Sequence, residues 1–143
     1  MTAIREQIYA LIEQRLRDID GVNEVERMPS GDPDKFPALH IFDADQDPFA
    51  AEAHSTRYAM TVGIEGFISG GSGGVAHAAL SDLYAKVVAA LMTEPPLGGL
   101  AETIDEGAFR PRVKELASKR RLTFELDFQI TFPTARGDPA QSA

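Results

Sequence analysis

The sequence predicts an α+β fold: a mainly antiparallel sheet of about four to five strands with two helices packed on one face. Three observations predict it. Leu122, Phe124, Leu126, Phe128, Ile130 and Phe132 alternate with Thr123, Glu125, Asp127, Gln129 and Thr131, the period of a strand with one apolar and one polar face. Ile4, Ile8, Leu11, Ile12, Leu16 and Ile19 recur at three- and four-residue spacing, and so do Leu80, Leu83, Tyr84, Val87 and Leu91; each set is the stripe of an amphipathic helix. Strands lie between and after the two helices without βαβ repetition, which sets helices on one side of an antiparallel sheet.

Taken in order, the first helix spans roughly Thr2 to Asp20, with Thr2 as N-cap and Gly21 as its stop. Val22 to Arg27 is a weak strand. Pro29 to Pro37 is turn-rich, and Ala38 to Phe42 is a better strand with Leu39 and Ile41 on one face. Asp43 to Ser55 reads as a long acidic loop. Arg57 to Ile68 is a strand presenting Tyr58, Met60, Val62 and Ile64 to one side. The run Gly70-Gly71-Ser72-Gly73-Gly74 favours flexibility. The second helix covers Val75 to Thr93 and is stopped by Pro95. Leu97 to Val113 is ambiguous, with one short strand around Ala101–Ile104. Residues 1–133 form a single domain and 134–143 a flexible C-terminal tail. The expected core sets Phe124, Leu126 and Phe128 against Leu83, Val87 and Leu91.

Composition narrows the function classes. The chain has 143 residues, 43% apolar and 25% charged, in the range of a globular domain. Its net charge of −8 disfavours general nucleic-acid binding, which needs clustered cations. The absence of Cys excludes disulfides, thiol nucleophiles and Cys-ligated metals. No membrane span and no signal peptide are expected.

Motif by motif, the chemistry is thin. Gly71-Ser72-Gly73-Gly74-Val75-Ala76 matches G-x-G-x-x-A between a strand and a helix, the place of a pyrophosphate-binding turn. The preceding strand carries Thr61 and Glu65 on its second face, unlike the doubly buried strand of a dinucleotide fold. The same run matches G-x-S-x-G around Ser72, but no acid lies between Ser72 and His77, so the Ser–acid–His order fails. Asp43-Ala44-Asp45-Gln46-Asp47 begins like a calcium loop, then puts Pro48 where Gly belongs and His54 where Glu belongs. His40, His54 and His77 show no metal-ligand spacing. No catalytic, cofactor-binding or metal-binding residue is assigned, and no enzyme is expected.

Charge is unevenly spread. Arg110, Arg112, Lys114, Lys119, Arg120 and Arg121 stand with one anion, Glu115, in twelve residues; that window is +5 and the rest of the chain −13. Such a patch either solvates a loop or meets an acidic patch on a neighbouring copy, with Asp43, Asp45 and Asp47 as candidate partners. The Arg120–Phe132 strand, roughly 43 Å long at about 3.3 Å per residue, also overruns a helix of roughly 27 Å. An uncovered apolar strand would be resolved by a second subunit.

An N-terminal helix is followed by the proline-led strand Phe36-Pro37-Ala38-Leu39-His40-Ile41, the central strand Tyr58–Ile68 and the helix bearing Leu80, Leu83, Val87 and Leu91. A basic stretch then runs into Arg120-Arg121-Leu122-Thr123-Phe124-Glu125-Leu126-Asp127-Phe128, with Gly137-Asp138-Pro139 after it. This layout, from Thr2 to about Pro139, resembles the tail terminator (tail completion) proteins of long-tailed bacteriophages, prophages and gene transfer agents. The resemblance implies a homohexameric ring on the tail tube that stops tube polymerisation and offers a face to the head–tail connector. It implies a place at the head-proximal end of a virion tail assembled in the host cytoplasm, with DNA meeting the protein only by passage through the ring lumen. No cofactor comes with it. The alternatives are a small intracellular α+β oligomeric adaptor domain and, less favoured, a nucleotide-binding enzyme using Gly71–Gly74.

Overall fold

The computed structural model describes residues 1–71, 73–116 and 119–143. Helix α1 (Ile4–Arg17) is followed by β1 (Glu24–Arg27), β2 (Ala38–Ala51), β3 (Ser55–Phe67), α2 (Gly74–Leu91), a 3-10 turn (Pro96–Gly99), β4 (Thr103–Leu116) and β5 (Lys119–Ala135). The strands make one five-stranded sheet in the order β1-β2-β3-β5-β4, antiparallel except for the parallel β1–β2 pair. The fold is α+β.

Along β3 and β5 the even-numbered residues face the helices. Met60, Val62 and Ile64 pair with Ile130, Phe128 and Leu126 across the ladder, and all six are at most 1% exposed. Phe124, Leu126 and Phe128 belong to one buried cluster with Leu83, Val87 and Leu91. Ala3 takes the α1 N-cap position in place of Thr2, and its carbonyl accepts from the Glu6 and Gln7 N–H groups. Gly66, opposite Phe124 in the ladder, leaves room for that ring: a Cβ there would lie 2.3 Å from it.

Four expectations are corrected. The acidic stretch from Asp43 is strand, not loop: β2 continues to Ala51 against β3, with bulges at Ala44 and Phe49. Each bulge shifts the side-chain alternation by one residue, which erases the period-two signal. The ambiguous stretch before Val113 is β4, a full-length edge strand. Its helix-facing positions change parity across the register shift between Glu106 and Phe109, from Ile104 to Phe109, Pro111 and Val113. The long β5 does not overrun its cover, because Phe124 through Phe132 are buried within the monomer at every second residue. Leu97, Ala101 and Ile104 extend the core cluster beyond the helices, and Tyr58 stacks on Phe132 at 5.4 Å. Nor is the C-terminal stretch loose: Thr134 and Ala135 finish β5, Arg136 N–H donates to His54 O, and Pro139 O accepts from Ile4 N–H at 2.9 Å.

A stretch including α2, Gly74–Gly99, is long and apolar enough by length and composition to cross a membrane, against expectation. In the fold, Leu80, Leu83, Val87 and Leu91 of this helix are core residues.

Candidate functional site: the open face of the sheet

The helices cover one face of the sheet. The other face presents the odd-numbered residues of β3 and β5 and their ladder partners, which makes it the candidate interaction surface. Its rows read directly from the registers. Near one end Arg121 pairs with Lys114, and Thr123 with Arg112 and Phe67. Next come Glu65, Glu125 and Arg110 across three strands. Toward the other end Asp45, Thr61, Gln129 and Asp105 form a row, followed by Asp47, Ala59, Thr131 and Thr103.

Half of the basic cluster is neutralised inside the chain. Arg110 Nη2 reaches Asp127 at 3.1 Å and Glu125 at 3.3 Å, Arg112 Nε reaches Glu125 at 3.2 Å, and Lys114 Nζ reaches Glu65 at 2.5 Å. The Asp127 hydrogen bond and charge, with Glu125 behind them, push the Arg110 guanidinium further up, so it is permanently cationic. The partners Glu65, Glu125 and Asp127 went unassigned at the sequence level. The signal was present: the antiparallel β4–β5 register sets Arg110 opposite Glu125, but only once β4 is recognised as a strand.

Lys119, Arg120 and Arg121 behave differently. Arg121 is positioned by its own chain, with Nη1 donating to Ser69 O at 2.9 Å and the guanidinium 3.9 Å from the Phe36 ring centre. Lys119 and Arg120 are exposed, and among the described residues neither makes an ion pair, although Glu115 stands opposite Arg120 in the ladder. With Ser69, Gly70 and Gly71 these three cations line a cavity of about 370 Å³.

The acidic residues also divide. Asp43 lies on the helix face, where Arg5 Nη2 contacts it at 2.6 Å and Arg5 Nε donates to Gln46. Asp45 and Asp47 lie on the open face, exposed and without a basic partner among the described residues. The three carboxylates therefore do not converge as a calcium loop requires. Between the two ends, a depression of about 330 Å³ is lined by Phe42, Ala44, Gly63, Glu65, Lys114 and Asp127. His40 is taken up by the fold, with Nε2 2.8 Å from Glu24 and the ring 5.0 Å from that of Phe67. The nucleophile-elbow reading centred on Ser72 falls outside the described residues. Gly73, at the α2 N-cap, has φ +91°, a conformation glycine adopts readily.

No family model matches the chain, and no curated protein matches it. Among solved structures it is similar to a chain described as the sheath/tube terminator, in the extended state, of PVC, an extracellular contractile injection system. The TM-score is 0.52 and the identity 16%, over 96% of this chain and 58% of that one. This chain therefore spans under two thirds of its neighbour's length, and the likeness is one of fold.

Proposed function

We propose that this chain is a non-enzymatic structural protein of a phage-tail-like assembly, a terminator that caps the tail tube. In this reading copies close into a ring, six to a tube end, stop tube polymerisation and offer a docking face to the next component, the head–tail connector in a virion. The observation that carries the reading is the fold likeness over 96% of the chain to a protein described as a sheath/tube terminator. Two features of the molecule support it. An open sheet face with segregated unpaired charge suits contact with other subunits more than catalysis, and the net charge of −8 suits a conduit that DNA crosses without sticking.

The test is reconstitution. A tail-tube subunit from the same source is polymerised with and without this chain, and tube lengths and ends are imaged by negative-stain electron microscopy. The expected outcome is shorter tubes with a six-fold ring at one end. Unchanged tube lengths with bare ends would reject the reading.

A further inference from the structure

Three features remain unused. The Lys119–Arg121 corner has no carboxylate among its lining residues. Gly70 and Gly71 beside it add backbone but no side chains: a Cβ at Gly71 would meet nothing within 4 Å. At the opposite end of the sheet the bulge residue Phe49 is 56% exposed, close in sequence to the unpaired carboxylates of Asp45 and Asp47. An exposed aromatic beside two acids on a bulge is a knob, and bulges commonly re-aim a side chain outward. A cationic cavity walled by glycine backbone is a matching hole. Arg guanidinium groups accept both carboxylates and an aromatic face.

We propose that the cavity between Ser69–Gly71 and Lys119–Arg121 receives the Asp45–Phe49 segment of a second copy of this chain. Knob and hole cannot meet within one molecule. Phe49 lies beside the Arg57–Tyr58 level of β3, whereas Gly71 follows the other end of that strand, so about 30 Å separates them at about 3.3 Å per residue. The contact is therefore heterologous, one copy's knob in the next copy's hole, and such a contact propagates until rotation closes it into a ring. The contact itself stands on charge and shape; only closure at six copies rests on the terminator reading.

The chain has no Cys, which makes cross-linking clean. Phe49→Cys chains are mixed with Gly71→Cys chains and oxidised at low salt, beside a control mixture of Phe49→Cys with Ser81→Cys on the exposed side of α2. The expected result is a disulfide-linked 49–71 dimer in several-fold excess over the control, and a ladder of larger oligomers from the double variant. Equal yields in the two mixtures would overturn the proposal.

A second arm uses charge. Lys119→Glu with Arg120→Glu, or Asp45→Lys with Asp47→Lys, should each weaken self-association about tenfold in sedimentation while leaving circular dichroism unchanged. Mixing the two reversed proteins should restore association. Folded variants that fail to cross-restore would overturn it too. Rings on tubes without the 49–71 cross-link reject this contact and keep the terminator; the cross-link in solution with bare tube ends does the reverse.

Discussion

Phe128 is fully buried at the centre of β5, opposite Val62. Phe128→Ala should cost about 3–5 kcal/mol, the usual range for emptying a buried aromatic site. Against a typical total of about 5–15 kcal/mol, urea denaturation should show a large drop in midpoint, and an unchanged midpoint would mean that the ring is not packed. Gly66 tests the opposite error. A methyl there would lie 2.3 Å from the Phe124 ring, which is itself 0% exposed. Gly66→Ala should therefore destabilise by about 1–3 kcal/mol through overpacking, although alanine is the better strand and helix former. A neutral result in the same assay would show that Phe124 has room to move.

Among the elements, β1 is the least supported, four residues long at the sheet edge. It is held by Glu24, whose carboxylate meets His40 Nε2 at 2.8 Å and accepts from the Asp34 N–H at 3.0 Å. Burial alone would raise the Glu24 pKa, but the His40 hydrogen bond, the backbone N–H groups of Asp34 and Lys35 and the His40 charge outweigh it. The net shift is downward from 4.5. A depressed carboxyl contributes stability that is present above its unfolded pKa and lost as pH falls through its folded value. Glu24→Gln should therefore flatten the fall in melting temperature below about pH 4.5, and an acid limb identical to the parent's would count against this role. The end of the chain makes a similar tie. Ile4, Ala135 and Arg136 N–H groups bond to Pro139 O, Gln141 O and His54 O. Removing residues 136–143 should cost about 1–3 kcal/mol, a few backbone hydrogen bonds at about 0.5–1.5 kcal/mol each, visible as a lower denaturant midpoint. An unchanged midpoint would return this segment to the status of a loose tail.

For the whole molecule, charge is segregated along the strands: among the described residues, cations without an ion-pair partner lie at the start of β5, Lys119 on the open-face parity and Arg120 on the other, and carboxylates without one lie at Asp45 and Asp47 of β2. Exposed pairs are individually weak, about 0–1 kcal/mol, and are screened within about 10 Å at 0.1 M salt. Self-association should therefore be favoured at low ionic strength and fall steadily as salt is raised, with the monomer's melting curve nearly unmoved. Association that strengthens with salt would indicate an apolar contact, for which the outer side of α2, with Val75 88% exposed, is the place to look.

Period-two and period-3.6 apolar patterns were sufficient for α1, α2, β3 and β5, because these elements present one continuous face to a single core and every side chain on that face is buried for the same reason. The fold class follows from those four. Two strands were hidden because a bulge changes side-chain parity midway: β2 at Ala44 and Phe49, β4 between Glu106 and Phe109. Hydrogen bonding to a neighbouring strand compensates for the lost period, and pairing is a long-range property that composition does not carry. The basic cluster was visible as a run of letters. Only the tertiary structure decided that Arg110, Arg112 and Lys114 meet Glu65, Glu125 and Asp127, that Asp43 turns to Arg5, and that Lys119 and Arg120 make no ion pair among the described residues. The sequence determined which charges exist and on which side of each regular strand they lie. The tertiary structure decided which of them neutralise one another, because Coulomb energy depends on distance across the sheet and not on separation along the chain.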